Sequence, residues 1–261
     1  MLHLYHANRL EDLAERLARD LQCPAGPVLA PQIVAVSSTA IGQWLSLQLA
    51  HHQGISANMQ WLLPARLLWR VFRDVLSDVP KTNAFSAEVL AWRALAVLQD
   101  EAFVRDHGAL AHYLADANAL RFWQLARQMG RLFEQYLIFR PDWIHRWEHD
   151  GAKEWQGTLW RRLINNGDAR HWLRLRTELF DDLSSNPSAA GRLPERLSLF
   201  ALAGLSPAFL ELLSRLAEHT DVHVYHLNFS GGFWADIVSD RERAHLIATQ
   251  GEDVDAYLDR G

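Results

Sequence analysis

The chain has 261 residues, of which 49% are hydrophobic and 22% charged, and its formal net charge is −5. This is an ordinary soluble globular composition, and its negative balance gives no bulk electrostatic argument for nucleic-acid binding. A single cysteine, Cys23, excludes a disulfide framework and a cysteine metal site. With no secretory signal pattern and no apolar run of about 18 residues, we expect a cytoplasmic protein that does not contact a membrane.

The N-terminal part of the chain alternates short strand-like runs with amphipathic helical patterns. LHLYH (2–6) predicts a first strand, and the leucine spacing after it predicts a helix, with Asn8 and Glu11 in a capping-box arrangement. IVAV (33–36) predicts a second strand, which leads through small residues into another helix. Pro64 fits the first turn of a further helix.

The middle of the chain, from about residue 86 to 183, shows successive helical patterns and no convincing strand. The clearest of them, ALRFWQLARQMGRLFEQYLIFR, ends where Pro141 follows Arg140. Strand patterns return in LSLFALAG and DVHVYHL. We therefore expect one α/β parallel sheet, built from residues 1–85 and 184–261, with an all-helical insertion at 86–183. The chain ends without a finishing element, which is typical of a piece of a longer protein.

The stretch VSSTAIGQW has the register of a phosphate-binding loop without its chemistry. Ser37 and Gly42 stand at the two glycine positions, Gln43 replaces the lysine, and Trp44 replaces the hydroxyl that binds magnesium. An amide brings no cation to the phosphates, and an indole does not bind magnesium. We expect no nucleotide cofactor and no catalytic activity in this chain, and we keep an active P-loop ATPase as the alternative.

Two other motifs resemble catalytic signatures. HRWEH (145–149) matches an inverted zinc-protease pattern, but no third ligand is identifiable, so we expect no metal. GLSPA (204–208) resembles a nucleophile elbow. Pro207 has no N–H for an oxyanion hole, so we predict that Ser206 is instead the N-cap of a helix.

The remaining signal is diffuse. Trp69, small polar side chains near Ser37, and the arginines at 127, 131 and 140 are of the types that line a groove for single-stranded nucleic acid. Aromatic rings stack on bases and arginines hold phosphates. On composition alone, a solvated helix face over a packed core is the favoured interpretation.

The order of several blocks resembles the RecC family, the γ subunits of the exodeoxyribonuclease V (RecBCD) helicase–nuclease. The blocks are YHANRLEDL, VSSTAIGQWL, WLLPARLLWRVF, LFEQYLIFRPDW and FALAGLSPAFLELL. The resemblance implies a RecA-like, superfamily 1 helicase-like fold that has lost its ATP site. It also implies a scaffold for the RecB and RecD subunits that handles single-stranded DNA and contributes to Chi recognition in homologous recombination and DNA repair.

The same resemblance implies a DNA-binding surface. The positions that match it are Ser37, Thr39 and Gln43 in the loop stretch, Leu63 and Trp69 in LLPARLLW, and Leu132, Glu134 and Arg140 in RLFEQYLIFR. Well-known members have glutamine where Ser37 stands and an acid where Arg131 stands, so the octamer read by this chain differs or no octamer is read. A structural interaction module without DNA contact is the remaining alternative.

Overall fold

The computed structural model describes residues 1–228 except Pro24, Val28, 152–153 and 166–169, together with short pieces at 237–238, 244–245, 247–248 and 259–260. The chain forms two compact units. The sheet unit comprises residues 2–61, 196–203 and 223–261, and the helical unit comprises Met1, 62–195 and 204–222. The predicted division into a core of 1–85 and 184–261 with an insertion at 86–183 stays a prediction.

The chain has a five-stranded parallel sheet, in the strand order β1-β5-β4-β2-β3. The strands are β1 (Leu2–Ala7), β2 (Gln32–Val36), β3 (Met59–Leu62), β4 (Arg196–Phe200) and β5 (Asp221–Leu227), with α1 (Leu10–Leu21) and α2 (Thr39–Gln53) between the first three. The predicted α/β fold with a parallel sheet is thus confirmed. The predicted strands all join this one sheet, whereas β3 was not predicted.

The centre of the sheet is buried because its strands are almost entirely apolar. Residues 33–36 of β2 are buried, as a strand covered on both faces requires. β2 pairs with β4 in the register Val34↔Ser198 and Val36↔Phe200. The apolar stripe of α1, with Leu13 and Leu17, packs into the same core.

The two helix starts of the sheet unit differ. α1 begins at Leu10 with Arg9 as N-cap and no side-chain hydrogen bond there, so the predicted capping box at Asn8 and Glu11 is wrong. At α2 the Ser38 hydroxyl accepts a hydrogen bond of 3.3 Å from the Ile41 N–H. Ser38 therefore satisfies one of the amide groups that every helix start leaves unpaired.

The helical unit contains ten helices among the residues that the structure describes. They are α3 (Pro64–Val75), α4 (Ala87–Leu98), α5 (Glu101–Arg105), α6 (Gly108–Leu114), α7 (Ala119–Phe139), α8 (Pro141–His149), α9 (Trp155–Asn165), α10 (Trp172–Ser185), α11 (Pro187–Ala190) and α12 (Pro207–Leu216). Among the described residues between 86 and 183 there is no strand, as predicted. None of the described helices is long and apolar enough to cross a bilayer.

α7 is the central helix of this unit, and it packs closely against α4. A Cβ added at Gly130 of α7 would lie 2.3 Å from the Ala87 carbonyl oxygen and 2.8 Å from the Ala91 nitrogen. Only glycine permits this approach of two helix backbones. The core around the contact is aromatic, with Phe133 and Trp160 fully buried.

Proline sets two helix boundaries as predicted. α7 ends at Phe139, and Pro141 is the first residue of α8, with Arg140 between them. Ser206 caps α12 by accepting from the Phe209 N–H at 3.3 Å, and Pro207 is the first helical residue. Ser206 is therefore a capping residue, as the missing N–H of Pro207 indicated.

Candidate nucleic-acid interface

Three of the predicted DNA-binding residues stand where β2 passes into α2. β2 ends at Val36, Ser37 and Ser38 connect it to the helix, and α2 begins at Thr39. The side chains of Ser37, Thr39 and Gln43 are all exposed. The carboxyl ends of parallel strands are the usual place for ligands in α/β sheets, so these three residues lie at a favourable edge.

The corner itself does not have the geometry of a phosphate-binding loop. The loop pattern requires a non-helical stretch between its two glycine positions, whereas here the helix already begins at Thr39. The Ile41 N–H is bound by the Ser38 hydroxyl, and the Gly42 N–H donates to the Ser38 carbonyl at 3.2 Å. These amide groups are therefore already used within the first turn of α2.

Gly42 and Trp44 serve packing in this corner. A Cβ at Gly42 would lie 3.0 Å from both Cβ and Cγ of Trp61, so the glycine makes room for an indole ring. Trp44 packs against the core of the sheet unit, with its ring centroid 6.3 Å from that of Phe200. A side chain engaged in this way is not available as a ligand.

A strained residue lies at the same edge of the sheet and was not predicted. Ala201 follows β4 with a φ of 47°, in the left-handed region that residues other than glycine rarely adopt. Its N–H donates to the Tyr225 carbonyl at 2.8 Å. Val36 pairs with Phe200, and Ser37 and Ala201 are the residues that come next after the two strands. Both therefore lie at the carboxyl ends of neighbouring strands. No local sequence signal marks this alanine, since its conformation depends on the neighbouring strand.

Leu63 and Trp69, the two predicted residues at the start of α3 and within it, differ in how far their side chains are exposed and held by other residues. Leu63 is the N-cap of α3 and is 38% exposed. Trp69 is half-buried, and its indole N–H donates to the Pro80 carbonyl at 3.0 Å, while its ring meets Phe72 edge-on. Trp69 is thus anchored within the helical unit and presents only part of its ring to solvent.

Two of the predicted residues on α7 have structural contacts. Leu132 packs against the core of the helical unit. The Glu134 carboxylate accepts a hydrogen bond of 3.3 Å from the Ala87 N–H, which is the first residue of α4. Glu134 therefore caps a neighbouring helix from outside, a contact that no spacing along the chain predicts.

Arg140, at the junction of α7 and α8, is engaged twice. Its Nε and Nη2 donate to the two oxygens of Asp142 at 3.0 and 2.8 Å, and its guanidinium lies 3.8 Å from the centroid of the Trp143 ring. The hydrogen bond with Asp142 raises the pKa of Arg140 and lowers that of Asp142. Asp142 and Trp143 stand in the RPDW block, but their hold on Arg140 was not predicted.

Glu148 of the HRWEH motif is a buried anchor between helices. Its carboxylate accepts hydrogen bonds from His171 at 2.8 Å, from Trp160 at 3.0 Å, and from two nitrogens of Arg174. Burial by itself raises the pKa of Glu148, but the hydrogen bond and charge of His171 and the hydrogen bonds from Arg174 and Trp160 outweigh it and lower that pKa to about 2. The motif residue therefore ties α8 to α9 and α10.

Comparison with known proteins identifies the same family as the order of the sequence blocks indicated. The family model described as "RecC, N-terminal domain" matches residues 2–256 of the chain. The chain belongs to the RecC N-terminal domain family. It is 32% identical to the RecBCD enzyme subunit RecC of Escherichia coli (strain K12), over 96% of the chain and 24% of that protein.

Other members of the family are similar over the same extent. Identity is 27% to the RecBCD enzyme subunit RecC of Haemophilus influenzae, over 96% of the chain and 25% of that protein. It is 27% to the RecC subunit of Mycolicibacterium smegmatis, over 97% and 25% respectively. The chain therefore spans about a quarter of the length of these relatives.

Proposed function

We propose that this chain is the N-terminal part of a non-catalytic, helicase-like subunit of a RecBCD-type helicase–nuclease. In this role it holds single-stranded DNA, contributes to Chi recognition, and assembles with RecB and RecD in the cytoplasm for double-strand-break repair by homologous recombination. The observation that carries the proposal is the family match over residues 2–256. The relatives are named as subunits of the RecBCD enzyme, which is why we infer that complex.

The β2–α2 corner supports a strand-handling role over an active motor. Gln43 and Trp44 lack the cation and the hydroxyl that nucleoside triphosphate chemistry needs. The first turn of α2 uses the Ile41 and Gly42 amides, and Trp61 closes on Gly42. These features are those of a RecA-like strand–helix corner that has a structural role only. In this proposal the partner subunits hydrolyse the nucleotide.

The proposed DNA-contacting residues are Ser37, Thr39, Gln43, Leu63, Trp69, Leu132, Glu134 and Arg140. The three at the end of β2 are exposed, and a hydroxyl or amide side chain there is suited to hydrogen bonding with base edges. Arg140 lies over the Trp143 ring and binds both oxygens of Asp142, which fixes the direction of its remaining N–H groups. Leu132 and Glu134 are only partly buried, so each has side-chain surface left for a strand beside its packing or capping contact.

The test uses the complete subunit that contains this chain, assembled with RecB and RecD. Gln43→Ala and Arg140→Ala should abolish the response to a Chi-like sequence while unwinding continues. An arginine or amide that reads a base contributes roughly 1–3 kcal/mol of discrimination, about 5- to 140-fold. Asp142→Asn is the matched control, because it frees Arg140 without removing it and should alter the response less than Arg140→Ala.

The opposite result has a defined meaning. If both alanine variants respond to every sequence as the unmodified enzyme does, these residues do not read DNA. If the chain assembles with its partners but cross-links to no strand, the structural interaction module becomes the better account. Trp69→Phe keeps an aromatic ring for stacking and removes the indole N–H that binds the Pro80 carbonyl, so it separates ring stacking from anchoring.

A further inference from the structure

A tryptophan pair lies on the surface of the helical unit, where α4 packs against α7. Trp92 of α4 and Trp123 of α7 have ring centroids 4.6 Å apart at an interplanar angle of 42°. Trp92 is 62% exposed, and Val89 and Leu120 beside the pair are also exposed. A solvent-facing indole supported by a second indole is an apolar surface that the described fold itself does not cover.

The same side of α7 carries unpaired positive charge. Trp123, Arg127 and Arg131 are spaced by four residues, so they follow one another along one face of the helix. Both arginines are exposed, and neither forms an ion pair within the part of the chain that the structure describes. Gln124 and Gln128, also exposed, add hydrogen-bonding amides between them.

The charge of α7 contrasts with that of the whole chain. The helix carries three arginines against one glutamate, Glu134, and that carboxylate is bound to the Ala87 amide. The chain as a whole is negative by five charges. A positive stripe on a negative protein is a local feature, and it favours a negatively charged partner.

We propose that Trp92, Trp123, Arg127 and Arg131 form a second contact surface for a single nucleic-acid strand. The inference rests on the proposed function and adds a strand path on α4 and α7 to it. A base stacks on the exposed face of Trp92, and the two guanidiniums hold successive phosphates along α7. Aromatic rings next to free arginines are the combination that grips single strands regardless of sequence.

One acidic residue opposes this surface and provides a sensitive probe. Glu88 is exposed on α4, one turn before Trp92, and forms no ion pair among the described residues. A phosphate bound nearby is repelled by its carboxylate. Glu88→Gln should therefore tighten binding of a single strand, whereas a purely apolar partner would not distinguish the two side chains.

The first experiment measures binding of a labelled oligothymidylate to the full 261-residue chain by fluorescence anisotropy. Trp92→Ala should weaken binding by about 5- to 140-fold, the equivalent of one lost stacking contact. Trp92→Phe should retain most of the affinity, and Trp92→Leu should not. Because Trp92 is exposed, these variants should keep the circular dichroism spectrum of the unmodified chain.

The second experiment tests the arginines by the salt dependence of the same binding. Arg127→Gln combined with Arg131→Gln should make the slope of log K against log salt shallower by about 1.4, the value for two phosphate contacts on a single strand. Arg105→Gln is the matched control. Arg105 is exposed on α5 and also unpaired among the described residues, and its loss should leave the slope unchanged.

Cross-linking locates the strand. An oligonucleotide carrying 5-iododeoxyuridine, irradiated on the chain, should give adducts on the peptides that contain Trp92 or Trp123. Adducts elsewhere only, unchanged affinity in Trp92→Ala, or no binding by the unmodified chain at low salt would each overturn the inference. Loss of assembly with partner subunits in Trp92→Ala, without cross-links, would assign the surface to a protein partner instead.

The outcomes for the two proposals are separable. If the Gln43 and Arg140 variants lose the Chi response but the Trp92 and Arg127 variants bind normally, the proposed function stands and this strand path fails. If the strand binds through Trp92 and Arg127 but the Gln43 and Arg140 variants respond normally, this surface stands and the proposed sequence reading fails.

Discussion

Glu148 binds Arg174 through two hydrogen bonds to a single carboxylate oxygen, at 3.1 Å from Nε and 2.8 Å from Nη2. The other oxygen accepts from His171 and Trp160, so three helices meet at one buried carboxylate. Only 4% of the Glu148 side chain is exposed. Its neighbours would be left with unsatisfied donors if the carboxylate were absent.

Glu148→Gln should therefore destabilise the chain by about 2–3 kcal/mol, because an amide offers one acceptor oxygen to several buried donors. Urea unfolding at neutral pH measures the change. Glu154→Gln is the matched control, since Glu154 forms an exposed pair with Arg146 and its loss should cost less than about 0.5 kcal/mol. Equal effects of the two substitutions would contradict the anchoring role.

The low pKa of Glu148 also predicts a dependence on acid. The pKa is about 2 in the folded chain against an ordinary value of 4.5. A carboxyl with a lowered pKa contributes stability that is fully present above 4.5 and is lost as pH falls from 4.5 towards 2. Across this window the unmodified chain should lose more unfolding free energy than Glu148→Gln does. Parallel pH profiles of the two proteins would count against the assigned pKa.

Gly130→Ala should destabilise the chain by about 3 kcal/mol or more, because the new methyl group meets the backbone of α4 on a side where nothing can move. Thermal unfolding followed by circular dichroism measures it. Gly108→Ala provides the comparison, since a Cβ there has no atom within 4 Å. A small effect at position 130 would mean that α4 and α7 separate more easily than their packing indicates.

Ala201→Val should destabilise the chain by at least about 1 kcal/mol, because a β-branched side chain is strongly disfavoured at a φ of 47°. Ala203→Val makes the same change two residues later, at an exposed position whose φ is not positive, and should have a smaller effect. Urea unfolding of both variants gives the comparison. If both cost the same, the left-handed conformation of Ala201 carries no strain.

Gln43→Lys should not create ATP hydrolysis, alone or combined with Trp44→Ser. The added cation meets no phosphate cradle, because α2 begins at Thr39 and Ser38 binds the first-turn amides. Phosphate release in the presence of magnesium is the measurement. Turnover that appears with the lysine and requires magnesium would refute this account of the corner.

Much of the fold was predictable because its signals are local. Apolar runs such as IVAV predict buried strands. The structure has strands at these runs, and the strands belong to one parallel sheet. Pro141 and the Ser206-Pro207 pair set helix boundaries through their own backbone chemistry. β3 was missed because its four residues continue into the apolar pattern of α3.

The candidate site was predictable only in part. That Ser37, Thr39 and Gln43 would follow a buried strand and be exposed could be expected from the strand–helix pattern. The contacts of Trp69 with Pro80, of Glu134 with Ala87, and of Glu148 with other helices join residues distant in the chain or on different elements. The spacing of apolar residues cannot predict such contacts. It shows which face of a helix is buried, but it does not show which residue of another segment packs there.

The sequence by itself determined the family, the order of most strands and helices, and the loss of the lysine and hydroxyl at Gln43 and Trp44, because each is a matter of residue identity or of neighbours along the chain. Only the tertiary structure decided that Gly42 makes room for Trp61, that Ala201 is strained, and that Glu148 is a buried anchor. These properties depend on what approaches a residue through space. Burial, hydrogen-bond satisfaction and close packing exist only once distant segments have met.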